Sequence, residues 1–130
     1  MAQALQQHTM LSADLAAAPV RAEEFCTAKG EPKFDLILLD PPRQGAAAQT
    51  AQLAALADLL CENARDSVPD IVPDIVMVSC NPHTAVRDFA VLVAAGWQLK
   101  EVQMIDQFVR TTHTEIVTRL VFTGRQNTNR

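Results

Sequence analysis

The sequence predicts an α/β fold in which a mostly parallel sheet carries an antiparallel edge strand, as in the C-terminal half of a doubly wound domain. Two apolar runs alternate with two helical patterns, which is typical of parallel strands joined by crossover helices. Two further strand-like runs follow with only a polar loop between them, which predicts an antiparallel pair. At 130 residues, the chain is one domain by size.

The composition describes a globular protein with a mildly acidic surface. Hydrophobic residues make up 48% of the chain, which is enough for a modest core. A net charge of −4 is not typical of a protein that binds nucleic acid by electrostatics alone. The three cysteines are odd in number and fit no zinc spacing, so we expect a reduced, cytoplasmic protein without a metal. Membrane-spanning and signal-peptide patterns are absent from the sequence.

Hydrophobic periodicity and turn residues predict the individual elements. Residues 34–39 form a nearly continuous apolar run, which predicts a strand buried on both faces. A second buried strand ends at Cys80. Helices are expected over residues 2–18, 46–63 and about 84–95, the last with Val86, Phe89, Ala90 and Val93 as its apolar positions and Gly96 as its end. Residues 20–26 suit a short strand or a helical turn, and strands over 98–105 and 116–122 precede a polar tail from residue 124.

Cys80 lies at the point where the second buried strand stops and a polar turn begins. The turn reads Ser79-Cys80-Asn81-Pro82 and leads into a predicted helix. The carboxyl ends of strands line the ligand crevice of open α/β sheets, so a thiol here can reach a substrate as a nucleophile. The positive end of the helix that follows favours a negative charge on the sulfur. The alternative is that Cys80 is a small apolar residue of the core.

Two other polar clusters adjoin strands. Asp40-Pro41-Pro42-Arg43 follows the first strand, where an acid and a rigid backbone suit the clamping of a flat ligand; the alternative is a turn capped by aspartate. Before the last strand, an extended backbone would place Thr111, His113 and Glu115 on one face, with Glu115 as a candidate general base. His113 could also pair with Cys80 as in a hydrolase, but no further feature supports acyl transfer.

Three segments together resemble the signature motifs of the RNA uracil-5-methyltransferases. They are residues 38–45 (LLDPPRQG), 78–88 (VSCNPHTAVRD) and 106–115 (DQFVRTTHTE), and the order and spacing match over roughly residues 20–123. One departure is Val109, which stands where the family has proline. The start of the third motif and residues 22–25 lean towards the transfer-RNA branch.

The resemblance implies a Rossmann-like methyltransferase fold and S-adenosylmethionine-dependent methylation of uridine C5 in RNA, either tRNA or 23S rRNA. It makes Cys80 the nucleophile, Glu115 the general base and Asp40 a cofactor-binding residue. The substrate-binding residues would be Pro41, Pro42, Arg43, Asn81, Thr111 and His113.

The resemblance also implies that the glycine-rich turn for the cofactor precedes residue 1. Residues 1–123 would then be a partial catalytic domain without its N-terminal cofactor-binding half, and residues 124–130 a tail. The alternative is a truncated, non-catalytic remnant or a binding module. An amino-group methyltransferase that uses Asp40-Pro41-Pro42 is a weaker alternative, because Arg43 stands where that class needs an aromatic residue.

Overall fold

The computed structural model describes residues 18–63, 72–106, 110 and 113–125. A 3-10 helix, Ala22–Phe25, opens the described chain. It is followed by strand β1 (Leu36–Leu39), helix α1 (Ala47–Asn63), strand β2 (Asp74–Ser79), helix α2 (Pro82–Ala95), strand β3 (Trp97–Asp106) and strand β4 (Thr114–Phe122). The predicted helix over residues 2–18 falls almost entirely outside the described residues, as does most of the tail.

The strands form one mixed sheet in the order β1-β2-β4-β3. The α/β class is therefore confirmed. Within the described residues, only β1 and β2 pair in parallel, whereas β4 is antiparallel to both of its neighbours. The expectation of a mostly parallel sheet is not confirmed.

The last strand of the chain causes this difference. Helix α2 crosses over between β2 and β3 and leaves a space of one strand between them. The short connection after β3 then returns the chain antiparallel, and β4 fills that space. Strands β1, β2 and β3 thus point the same way and β4 points the opposite way. Because β4 lies between β2 and β3, two of the three pairings are antiparallel. The strand that runs against the others is β4, which lies inside the sheet, whereas the edge strand β3 points the same way as β1 and β2, so the predicted antiparallel edge strand is not found among the described strands.

Helices α1 and α2 cover one face of the sheet, and the core lies between these two layers. Its most buried side chains include Leu53, Leu56 and Leu60 of α1, Ile75 and Met77 of β2, Leu92 of α2, and Trp97 and Leu120 of the last two strands. The opposite face lacks a covering layer within the described residues, so Leu36 and Leu38 of β1 are 55% and 64% exposed. The expectation that this strand is buried on both faces is wrong for the described chain.

Helix α2 begins at Pro82, and its core-facing side matches the prediction only in part, since Phe89 packs against the core whereas Val86 and Val93 do not. Its buried residues are Ala85, Asp88, Leu92 and Ala95. Val86 and Val93, which the hydrophobic pattern assigned to the core, are 66% and 51% exposed. The charged residue at the centre of the buried face is tolerated because its carboxylate is fully hydrogen-bonded.

The C-terminal end of α2 follows the prediction. Gly96 has the left-handed φ of 115° that glycine adopts without strain, and its N–H donates to Leu92 O and Val93 O. A Cβ at this position would come within 2.9 Å of the Phe122 ring, so the helix end also packs tightly on β4. No helix in the described ranges is long and apolar enough to cross a membrane.

Candidate functional site

Cys80 and Glu115 lie at the same end of the sheet because of the register between β2 and β4. Ser79, the last residue of β2, pairs with Ile116 in the antiparallel ladder. The next position outward on each strand is Cys80 on one side and Glu115 on the other. The two residues predicted as nucleophile and base thus each lie one position beyond the last pair of this ladder, at the same end of the sheet.

Their surroundings differ from the apolar core. Cys80 is exposed, and Glu115 is half-buried within β4, where it also pairs with Ile105 of the edge strand. Side chains alternate along β4, so Glu115 lies on the face opposite the buried Thr118 and Leu120. Both groups are therefore open to a ligand from outside the helical layer.

Asn81 connects Cys80 to helix α2. Its side-chain Oδ1 accepts a hydrogen bond of 3.1 Å from the His83 N–H, which makes it the N-cap, and Pro82 occupies the first helical position. Cys80 precedes this cap directly, so the positive end of the helix dipole lies beside the thiol.

The Asp40 loop, residues 40–46, runs beside the Cys80 turn. Asp40 is exposed and follows β1, and because β1 and β2 are parallel it leaves the sheet at the same end as Cys80. Pro41 is buried, whereas Pro42 and Arg43 are exposed. A tight turn closes the loop through a 2.8 Å hydrogen bond from the Gly45 N–H to Pro42 O.

Two side chains bind the loop to the Cys80 turn. Asn81 Nδ2 and Thr84 Oγ1 each donate to Arg43 O over 3.2 Å. Asn81 therefore performs two tasks, because its oxygen caps α2 and its nitrogen binds the loop. The segments that carry Asp40, Arg43 and Cys80 thereby form one connected surface.

The third motif is described only in part. His113 is exposed and immediately precedes β4, and Arg110 is exposed with a left-handed φ of 73°. Thr111 and Val109 lie outside the described residues. The proposed alignment of Thr111, His113 and Glu115 on one face thus remains a prediction.

The other two cysteines differ from Cys80 in their placement. Cys26 is buried, and burial raises the pKa of its thiol, which keeps it protonated. Cys61 is exposed near the C-terminal end of α1. Within the described part of the chain, no group of three or more His, Cys, Asp or Glu side chains is placed to hold a metal ion.

The residues that bind the loop from α2 were not predicted as site residues from the sequence. Thr84, Arg87 and Asp88 all contact it. The signal was present as an Arg-Asp pair in the first turns of a helix, but helical charges are usually solvated. Only the tertiary path of the loop shows their role.

An exposed thiol at the same end of the sheet as a carboxylate, beside a loop with an acid and an arginine, suits covalent catalysis with a separate general base. The family model described as tRNA (Uracil-5-)-methyltransferase matches residues 27–121. The chain belongs to this family of RNA-modifying enzymes, as the motif resemblance indicated.

Curated relatives support the same assignment. The 23S rRNA (uracil(1939)-C(5))-methyltransferase RlmD of Histophilus somni is 49% identical over 84 residues, which cover 65% of this chain and 16% of that protein. An uncharacterized RNA methyltransferase of Caulobacter vibrioides is 36% identical over 113 residues, covering 87% of this chain and 22% of the relative. An uncharacterized RNA methyltransferase of Rhizobium meliloti is 36% identical over 118 residues, which cover 91% of this chain and 24% of that protein. The chain thus spans between a sixth and a quarter of their lengths.

Proposed function

We propose that this chain carries the covalent chemistry of S-adenosylmethionine-dependent methylation at C5 of uridine in RNA. The observation that supports the proposal is the β2–β4 register, which ends at the pair Ser79 and Ile116, so that Cys80 and Glu115 are the next residues outward at the same end of the sheet. Membership of the family supports the reaction class.

Cys80 acts as the nucleophile. C5 of uracil is a poor nucleophile, so direct attack on a methyl sulfonium is slow. When the Cys80 thiolate forms a bond to C6, the electrons of the C5–C6 double bond move to give an enolate with carbanion character at C5. C5 can then take the methyl group. Covalent addition thereby divides one difficult step into easier ones.

Glu115 acts as the general base. After methylation, C5 carries both the new methyl group and its original proton. The Glu115 carboxylate removes that proton, the C5–C6 double bond re-forms, and the thiolate leaves C6. A separate base is needed because the sulfur is bonded to C6 throughout, and the position of Glu115 at the same end of the sheet as Cys80 suits this division of roles.

S-adenosylmethionine supplies an electrophilic methyl group when it is bound. In the described chain, Asp40 suits a cofactor contact, because its exposed carboxylate lies at the carboxyl end of β1 and can accept hydrogen bonds. We infer that further cofactor contacts come from residues outside this chain, since it spans only 16% to 24% of the relatives' lengths. Within the described residues, Leu36 and Leu38 lie on a sheet face without a covering layer, which fits a doubly wound domain completed by such residues.

The substrate is a uridine displaced from its stack, because C6 of a stacked base is not accessible to Cys80. The surface formed by Pro41, Pro42, Arg43 and Asn81, extended by Thr111 and His113, would receive it. The chain carries a net charge of −4, so we expect much of the affinity for RNA to come from other parts of the enzyme. The named relative acts on 23S rRNA, and we propose ribosomal or transfer RNA as the substrate class.

The test is hydrogen exchange at C5 of uridine in RNA labelled there with tritium. Addition of Cys80 at C6 allows C5 to gain a solvent proton, and removal of the label by Glu115 then releases tritium to water without any cofactor. With RNA in large excess, which offsets the weak binding expected of the chain alone, we expect slow release by the chain and none after Cys80→Ala. The matched control is Cys61→Ala, which removes an exposed thiol elsewhere and should leave release unchanged. Release that persists in Cys80→Ala would contradict the proposal, and binding of RNA without release would favour a binding module.

A further inference from the structure

The C-terminal end of the Asp40 loop is held by an arginine and an aspartate that follow each other on α2. Arg87 Nη2 donates to Gln44 O over 2.9 Å, and the Ala46 N–H donates to Asp88 Oδ2 over 2.7 Å. The two bonds join residues that are 43 and 42 positions apart in the sequence. They add to the two bonds from the start of α2 to Arg43 O, so the loop is bound along its length.

Asp88 is a buried carboxylate with both oxygens occupied. Its side chain is 1% exposed. Oδ1 accepts from Arg87 Nε at 3.1 Å and Nη2 at 2.9 Å, while Oδ2 accepts from Ala46. A buried charge is retained only where it is paired and hydrogen-bonded, and removal of one partner leaves the other uncompensated. The Ala46 N–H of the loop therefore stabilises the buried Asp88 carboxylate, and that carboxylate in turn holds the loop.

The carboxylate at the start of α1 is that of Asp88 on α2, because the residues at the start of α1 supply no cap of their own. Ala46 precedes α1 and has no side chain that could cap it. In a capping box, the third helical residue would bond back to the N–H of the cap residue. That position is Gln49, whose amide instead binds both Val20 N at 2.8 Å and Val20 O at 3.0 Å. Asp88 supplies the missing carboxylate at the positive end of α1.

Gly45 allows the loop to lie directly on this pair. Its φ is +85°, and a Cβ there would lie 2.5 Å from Arg87 Nη2 and 2.7 Å from Asp88 Oδ2. Any larger residue would displace the guanidinium or the carboxylate and would strain the backbone as well. Gly45 and Asp88 are thus two independent points at which the same contact can be perturbed.

We propose that Asp88 is a positioning residue, which acts through the Ala46 N–H and Arg87 to hold the Asp40 loop against the Cys80 turn. The loop reaches that turn through Arg43 O, which Asn81 binds, and Asn81 is the neighbour of Cys80. The importance of this arrangement rests on the proposed role of Cys80 as nucleophile. Asp88 itself touches neither the substrate nor the reacting atoms.

The test measures the rate at which a bulky disulfide reagent modifies Cys80 in the 130-residue chain. A Cys61→Ser background removes the other exposed thiol, and peptide mass spectrometry assigns the modified cysteine. Loss of the anchor lets the loop open locally away from Cys80, so Asp88→Ala should raise the rate about threefold or more. Gly45→Ala should do the same. Asp88→Asn, which keeps an oxygen for the Ala46 N–H, should return the rate to within about twofold of the parent.

Asp58→Ala is the matched control, because it also removes a helical carboxylate paired with an arginine, Arg125, away from the loop. Its rate should equal that of the parent. An unchanged rate in Asp88→Ala would overturn the inference, as would rates that simply follow the melting temperatures of all variants. If the Asp88 effect is absent while Cys80-dependent tritium release persists, this inference alone fails. If the effect is present and release is absent, the proposed function alone fails.

Discussion

Replacing Glu115 with glutamine is expected to trap the RNA on Cys80 as a methylated covalent intermediate. Glutamine has nearly the same shape, so the thiolate can still add to C6 and the methyl group can still be transferred. The amide cannot remove the C5 proton, and the thiolate cannot leave until that proton is gone. Loss of a positioned general base typically lowers turnover by about 10²–10⁴-fold.

The experiment uses the chain joined at its N-terminus to the region that precedes the matched segment in the Histophilus somni relative. With unmodified RNA and S-adenosylmethionine, Glu115→Gln should give a protein–RNA band that survives denaturing electrophoresis. The matched control is Glu101→Gln, since Glu101 lies on the neighbouring strand β3, pairs with Arg119 and is 69% exposed. Normal product formation without a trapped band in Glu115→Gln would remove Glu115 from the mechanism.

Replacing Trp97 with alanine is expected to lower the free energy of unfolding by about 3–5 kcal/mol. Trp97 is 1% exposed and begins β3. Its ring packs edge-on against Phe122, with centroids 5.1 Å apart, and its Nε1 donates to Pro73 O over 3.2 Å. The substitution leaves a cavity where β3, β4 and the start of β2 meet, and it also leaves the Pro73 carbonyl without this donor.

The measurement is urea unfolding followed by circular dichroism, because Trp97 is the single tryptophan and its fluorescence is lost in the variant. Met104→Ala is the control on the same strand, since its side chain is 71% exposed, and we expect a change of about 0.5 kcal/mol or less. The loss expected for Trp97→Ala, by contrast, is a large fraction of the roughly 5–15 kcal/mol that stabilises a typical domain. A Trp97 variant as stable as the control would contradict the core as described.

Local patterns were sufficient to predict most elements of the fold. The apolar run before Asp40, the leucine repeat of α1 and the glycine after α2 all have local causes, and the structure places elements there. The position of β4 between β2 and β3 depends on pairing between strands far apart in sequence. No periodicity within β4 distinguishes an inner from an edge position, so the sequence predicted the strand but not its neighbours.

In the candidate site, too, local motifs predicted some residues, whereas others are recognised only from the tertiary structure. Motif spacing singled out Cys80 and Glu115, and the sheet register then accounts for their position at the same end of the sheet. Asp88 was missed because its partners, the Ala46 N–H and the guanidinium of Arg87, come together only when the Asp40 loop folds onto α2. A charged residue within an apolar pattern is normally assigned to the solvent face. The exposure of Val86 and the burial of Asp88 reverse that assignment.

The central claim is that the Cys80 sulfur bonds to C6 of uridine, and 5-fluorouridine RNA tests it most directly. Fluorine at C5 cannot leave as a proton, so after methyl transfer the adduct cannot resolve and remains on the protein. In the joined enzyme with S-adenosylmethionine, digestion followed by mass spectrometry should place a methylated 5-fluorouridine nucleotide on the peptide that contains Cys80, and on neither Cys26 nor Cys61. The Cys80→Ala variant should form no adduct. An adduct that persists in Cys80→Ala, or that maps to another residue, would contradict the account.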